Sequence, residues 1–181
     1  YNDIIESDEP FCMKEEAWYM MGQAYQELND YRKAVACFKK AAAMDCPEAF
    51  AMVGDAYYKG CGVKENPAMA FRWYRKGADW GDINAKLKLA DCYKRGIGCK
   101  LDYSKAMEQY LHLAERTGRY WQRYADGIGA ALYEIGRMYL LGEGVPIDLK
   151  RAVKYFRLAA KKGNRAAENE LSNMESGDFK K

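Results

Sequence analysis

Histidine occurs once in the 181 residues and proline four times, and the hydroxyl side chains amount to Ser7, Ser104, Ser172, Ser176 and Thr117. One histidine is too few for a multi-histidine metal site, and no Cys-x-x-Cys pair exists to supply one from thiolates. No serine is followed three residues on by lysine, the arrangement of the penicillin-recognising enzymes. So little proline excludes a Pro-rich linker. Apolar runs such as 41–44 and 138–141 fall far short of the roughly 18 residues that a membrane-spanning helix needs, so no membrane insertion is expected. Charge of one sign is missing too: 29 Lys and Arg stand against 26 Asp and Glu, a net +3 that announces neither a nucleic acid nor a membrane surface. What is present is a 49% apolar, 30% charged composition, that of a folded chain with a core.

Charge is nonetheless uneven. Residues 1–16 carry Asp3, Glu6, Asp8, Glu9, Glu15 and Glu16 against a single lysine, a solvated lead-in or a tail that docks on a basic surface. The chain begins at Tyr1 and not at Met, so the lack of a leader says little about localisation. Six cysteines (Cys12, Cys37, Cys46, Cys61, Cys92, Cys99) follow no paired pattern; Cys92 and Cys99 occupy apolar columns, and reduced thiols with a cytoplasmic setting are the expectation. A periplasmic or secreted protein is the alternative, with Cys37 and Cys46 as its most credible bridge.

The dominant feature is an internal repeat. Gly60-Cys61-Gly62-Val63, Gly96-Ile97-Gly98-Cys99 and Gly142-Glu143-Gly144-Val145 recur at spacings of 36 and 46 residues. Before each loop stand Tyr57, Tyr93 or Tyr139, then Gly54, Ala90 or Gly136, then Ala49, Ala85 or Ala131. After it come Asn66, Asp102 or Asp148, then Ala70, Ala106 or Ala152, then Tyr74, Tyr110 or Phe156. Apolar and small positions recur every three or four residues, the period of an amphipathic helix. Each repeat is therefore two helices, the second capped by Asn66, Asp102 or Asp148. Small columns mark where the two approach closely.

Residues 15–46 hold a shorter unit, with Trp18, Gly22, Tyr25, Ala34 and Phe38, that turns directly through Asn29-Asp30. The boundaries read as an acidic lead-in at 1–14, this tetratricopeptide-like repeat at 15–46, further repeats at 47–82, 83–128 and 129–164, and a capping helix and tail at 165–181. The third repeat is ten residues longer than its neighbours, the excess lying at 119–129. Its arginines and aromatics suit an interface, and the alternative is a longer second helix packed on the next hairpin.

The repeated combination of the small column, Tyr57-x-x-Gly60-x-Gly62-Val63, Asn66, Ala70, Trp73-Tyr74 and Ala78 resembles the Sel1-like repeat family, relatives of the tetratricopeptide repeats. The resemblance implies an all-α, right-handed α-solenoid of antiparallel helix hairpins whose first helices line a concave face. It also implies a non-catalytic scaffold or adaptor for a protein or peptide. On that reading the candidate partner-binding residues are Tyr19, Gln23, Met52, Asp55, Tyr58, Lys88, Asp91, Arg95, Tyr133, Glu134 and Arg137 on first helices, with Arg119, Tyr120, Trp121 and Arg123 in the insertion. The carboxylate clamp of some tetratricopeptide domains is disfavoured, because Tyr19, Gln23 and Met52 stand where it uses lysine and asparagine. No catalytic residue, metal or cofactor is expected, and the chain is expected to be a monomer. The alternatives are a β-lactam-binding or hydrolysing relative, and a nucleic-acid adaptor working through the insertion, the latter disfavoured by the weak net charge.

Overall fold

The computed structural model describes residues 11–116 and 124–176. Among them are nine helices and no strand: α1 (Phe11–Glu27), α2 (Tyr31–Ala43), α3 (Pro47–Lys59), α4 (Pro67–Asp79), α5 (Ile83–Arg95), α6 (Tyr103–Ala114), α7 (Ala125–Leu141), α8 (Leu149–Ala160) and α9 (Arg165–Ser176). The chain forms two compact units, Tyr1–Cys92 with Gly96–Lys100, and Tyr93–Arg95 with Leu101–Lys181. In the first, α1 packs on α2, α2 on α3 and α3 on α4; in the second, α6 packs on α7, α7 on α8 and α8 on α9. The class is all-α, built of helix hairpins, as the periodicity predicts.

The second helices begin as expected. Asp30, Asn66, Asp102 and Asp148 each accept a hydrogen bond from the amide three residues on, at 2.9 to 3.2 Å. Such a cap stabilises by about 1 kcal/mol. Pro67 stands in the first turn of α4, where its missing amide proton costs nothing. The three aspartates also pair with the cation at that third position, Lys33, Lys105 or Arg151, at 3.0, 3.4 and 3.3 Å. Those cations lie in turn over Tyr25, Tyr93 and Tyr139, 5.3 to 5.5 Å from the ring centres. In the second repeat Met69 takes the cation's place, and Lys39 from the previous hairpin covers Tyr57 instead, donating to its hydroxyl at 3.0 Å.

Each glycine loop is built alike. Gly60, Gly96 and Gly142 end their helices in the left-handed conformation, and their amides return to the carbonyls of Ala56, Cys92 and Met138. The loop closes where the amides of Asn66, Asp102 and Asp148 reach the carbonyls of Tyr57, Tyr93 and Tyr139 at 2.8 to 2.9 Å. The second glycines have φ of 74°, 68° and 74° and rest on the first residue of the preceding hairpin's second helix: Gly62 on Tyr31, Gly98 on Pro67, Gly144 on Tyr103. A side chain has no room at any of the three.

Inside the hairpins an aromatic ring sits on a glycine, Phe38 on Gly22, Tyr74 on Gly54 and Phe156 on Gly136. These rings are among the most buried side chains, 3%, 2% and 0% exposed. Around Phe156 cluster Ile128, Leu132, Ala152, Ala159 and Ala167, the last contributed by α9, which closes the second unit.

The insertion resolves differently from the expectation of a longer second helix. The second helix of the third repeat stops at Ala114, and it is the next first helix, α7, that lengthens, starting at Ala125 and not near 129. The remainder of the insertion, with Arg119, Tyr120, Trp121 and Arg123, lies outside the described residues.

An added Cβ at Gly136 would come 2.6 Å from the Phe156 ring. Gly136→Leu is therefore expected to cost about 3 kcal/mol by overpacking, against a gain of about 1 kcal/mol in helix propensity. Urea denaturation measures the difference, and an unchanged midpoint would show that the ring does not depend on the glycine.

Candidate partner-binding groove

Three helices of the first unit line a hollow. α1 and α3 flank it and α2 lies beneath, leaving a cavity of about 250 Å³ with Ala34, Val35, Phe38 and Met52 at its apolar wall and Gln26, Asp55 and Lys59 at its rim. Ala56, which also lines the cavity, occupies the column filled by Cys92 and Met138 in later repeats.

Five of the residues expected to contact a partner meet around this groove or beside it. Tyr19 stacks obliquely on Phe38 with ring centres 5.8 Å apart and accepts from the Gln23 amide at 3.2 Å. Met52 packs with Tyr19 against the cluster of Ala34, Phe38 and Val53. Asp55 accepts from the Tyr74 hydroxyl at 2.6 Å and faces Lys88 at 3.8 Å. Burial, then that bond to Asp55, raises the Tyr74 hydroxyl far above its ordinary value and keeps it a donor. Tyr58 and Asp91 are half-buried. The residues missed by sequence reasoning, Ala34, Val35 and Phe38 among them, belong to the apolar stripe of α2 and read as ordinary core.

In the second unit Glu134 and Tyr133 make contacts within the fold. Lys94 donates to Glu134 at 2.6 Å and lies 3.0 Å from Glu143, tying the end of α5 to α7 and to the glycine loop. Burial opposes its charge, but the two carboxylates outweigh it and raise Lys94 above the ordinary lysine value. Tyr133 packs on Phe156 with centres 5.7 Å apart, Arg137 is half-buried, and Arg95 is exposed.

Helix α3, one side of the groove, is polarised along its length. Glu48 sits in the first turn of α3, where the helix dipole favours an anion, and Lys59 in the last turn, where it favours a cation. Around Glu48 the field is negative: Glu15 is raised by burial and by Asp45, Glu48 and Glu16. Asp82, the buried cap of α5, accepts from the Ala85 amide, yet burial pushes it up to about 6, with Glu48 adding to the rise. Chemistry is sparse. His112 is exposed, and among the described residues no group of three or more His, Cys, Asp or Glu is placed to hold a metal. Cys37 and Cys46 are free buried thiols and not a bridge, with Cys46 pushed up to about 11 by burial. No helix of the described residues is long and apolar enough to cross a membrane.

The Sel1 repeat profile matches residues 47–82, 83–114 and 129–164, and the tetratricopeptide repeat profile matches 15–45. The chain belongs to the Sel1 repeat family. Its hairpins resemble those in the crystal structure of a Sel1 repeat protein from Oxalobacter formigenes, with a TM-score of 0.75 and 29% identity over 94% of this chain and 66% of that one. A protective antigen of uropathogenic Escherichia coli displaying the same fold matches at 0.56 and 25% identity, over 93% of this chain and 44% of that one. Among curated proteins, an exopolysaccharide production negative regulator of Rhizobium meliloti is 28% identical over 78% of this chain and 54% of its own length. Chitin synthase regulatory factor 1 of Schizosaccharomyces pombe is 26% identical over 77% of this chain and 30% of its own. This chain thus spans about half or less of the length of those two regulators. Sel1 repeats are a protein-interaction fold, which makes a protein-interaction scaffold the general reading of this chain.

The raised Asp82 gives a signed pH dependence. A carboxyl whose value climbs from 3.8 to about 6 on folding favours the folded state when protonated, and that contribution is lost as pH rises from 3.8 through 6. Asp82→Asn keeps a capping oxygen without the charge. Its stability relative to the parent should therefore grow between pH 4 and 7 by up to about 3 kcal/mol, measured by urea denaturation at each pH. Parallel profiles would show that the carboxylate is not destabilised by its site.

Proposed function

We propose that this Sel1 repeat chain is a non-catalytic adaptor that holds a protein or peptide in the groove of α1, α2 and α3. The observation that carries the reading is the cavity of about 250 Å³ with an apolar wall and a polar rim. That volume suits one aliphatic or aromatic anchor side chain, and convergent polar groups at a rim orient a ligand. Met52 lines the groove, and Tyr19, packed on the wall residue Phe38 and bonded to Gln23, stands beside it; Tyr58, Lys59, Lys88 and Asp91 extend the surface along α3 and α5, and Asp55 at the rim is held by Tyr74 and Lys88. Arg95, Tyr133, Glu134 and Arg137 on the second unit, with Arg119, Tyr120, Trp121 and Arg123 in the insertion, are proposed as further contacts. The partner's backbone runs from the acidic start of α3 toward Lys59, so its own charge runs from basic to acidic. Scarce hydroxyl and imidazole groups support a scaffold without catalysis, and free thiols support a cytoplasmic setting for a monomer.

The test is selection of peptides from a random display library on the intact chain, followed by affinity measurement on Ala56→Met, which fills the cavity with the side chain that later repeats carry. Selected peptides should share an apolar anchor and bind the variant at least tenfold more weakly while its circular dichroism is unchanged. Equal affinity for the variant, or no enrichment over an albumin control, would remove the groove as the site.

A further inference from the structure

The net charge of +3 hides a local excess that neither the repeat pattern nor the groove uses. Residues 149–165 contain seven cations and no carboxylate. On α8 the side chains of Lys150, Lys154 and Arg157, and that of Lys161 at its C-terminal cap, are exposed, whereas Ala152, Phe156 and Ala159 are buried. At 3.6 residues per turn the four cations fall within about 60° of one another, opposite the buried stripe, in a row about 16 Å long. Arg151 is engaged by Asp148 at 3.3 Å and by the Tyr139 hydroxyl at 3.2 Å, but among the described residues no carboxylate pairs with the four in the row. Aliphatic side chains flank them: Ile147, Leu149 and Leu158 are 66%, 57% and 37% exposed.

We propose that this outward face of α8 binds the surface of a membrane rich in anionic phospholipid. Four closely spaced Lys and Arg on one helix face are the footprint of such a surface, where each contributes about a fivefold gain in binding. The exposed aliphatic residues beside them suit the boundary between headgroups and acyl chains. Two other anionic partners fit less well. A single-stranded nucleic acid asks for exposed aromatic platforms, and of the two aromatics on this helix Phe156 is buried and Tyr155 is half-buried and stacked on Tyr139 at 5.7 Å and 7°. A protein interface disfavours lysine and enriches aromatics, the reverse of this face. Contact is peripheral and uses none of the residues that line the groove, so it does not depend on the adaptor reading.

Co-sedimentation of the intact chain with vesicles decides the matter. Vesicles containing about a third phosphatidylserine should bind, phosphatidylcholine alone should not, and binding should fade as salt rises toward about 0.5 M. The double variant Lys154→Gln with Arg157→Gln should bind about thirtyfold more weakly, and Ile147→Ser with Leu149→Ser should weaken what survives in salt. Arg72→Gln with Arg75→Gln, exposed cations on α4, is the control that should bind as the parent does, and circular dichroism should be the same for all. Absent binding to the anionic vesicles overturns the proposal. So does an equal loss in the α4 control, or displacement from the vesicles by excess polyglutamate or single-stranded RNA at matched charge.

Discussion

A ring seated on a residue that has no side chain sets the distance between the helices of each glycine-bearing hairpin. Phe38 on Gly22, Tyr74 on Gly54 and Phe156 on Gly136 bring two backbones closer than any Cβ permits, and the rest of the unit is arranged around that approach. Once the pair is close, the loop joining it must turn sharply. The left-handed glycines allow that turn. The second glycine then settles on the start of the preceding second helix, which transmits the placement of one hairpin to the next within its unit. The groove depends on the same chain of contacts, since its wall residue Phe38 is also the ring that closes the first hairpin.

Charge is distributed by the same logic. The carboxylates at the starts of second helices are consumed by amides and by neighbouring cations, and those cations cover tyrosines in turn. Lys94 is consumed between Glu134 and Glu143. An exposed ion pair contributes little stability by itself, so these arrangements matter more for placing side chains than for holding the fold. What remains outward is polarised: acidic residues gather at the start of α3, where Asp82 is destabilised as a carboxylate, and a row of cations lies along α8. A net charge is an average over such regions and is nearly silent about either of them.

The fold was legible because its determinants are periodic. Small residues, rings, caps and loop glycines occupy columns whose spacing is read directly, and each column has one physical task. The groove was legible only in part. Met52 and Asp55 line the cavity and were placed on a first helix by the periodicity, whereas Ala34, Val35, Phe38 and Ala56, which line it too, read as ordinary core columns. Asp55 and Glu134 read as free charges on a helix face, but the hydroxyl of Tyr74 and the ammonium of Lys94 arrive from other helices, contacts a linear pattern does not encode. The lengthening of α7 at its start went unseen for a related reason: an alanine and glycine run such as 125–130 carries the composition of a loop and of a helix start alike.

Departures from the repeat separate into two kinds, and the structure distinguishes them. When Met69 replaces the cation that covers a tyrosine in its sister repeats, Lys39 of the preceding hairpin supplies one, so the departure is compensated within the fold. Where later repeats carry Cys92 and Met138, Ala56 lines an open cavity. The row Lys150, Lys154, Arg157 and Lys161 likewise has no carboxylate to answer it among the described residues. A core left unfilled and a like-charge row left unpaired both carry a cost. A cost of that kind is relieved when something outside the chain fills the space or answers the charge, which supports the two proposals that partners meet the groove and the α8 face and not the regular columns.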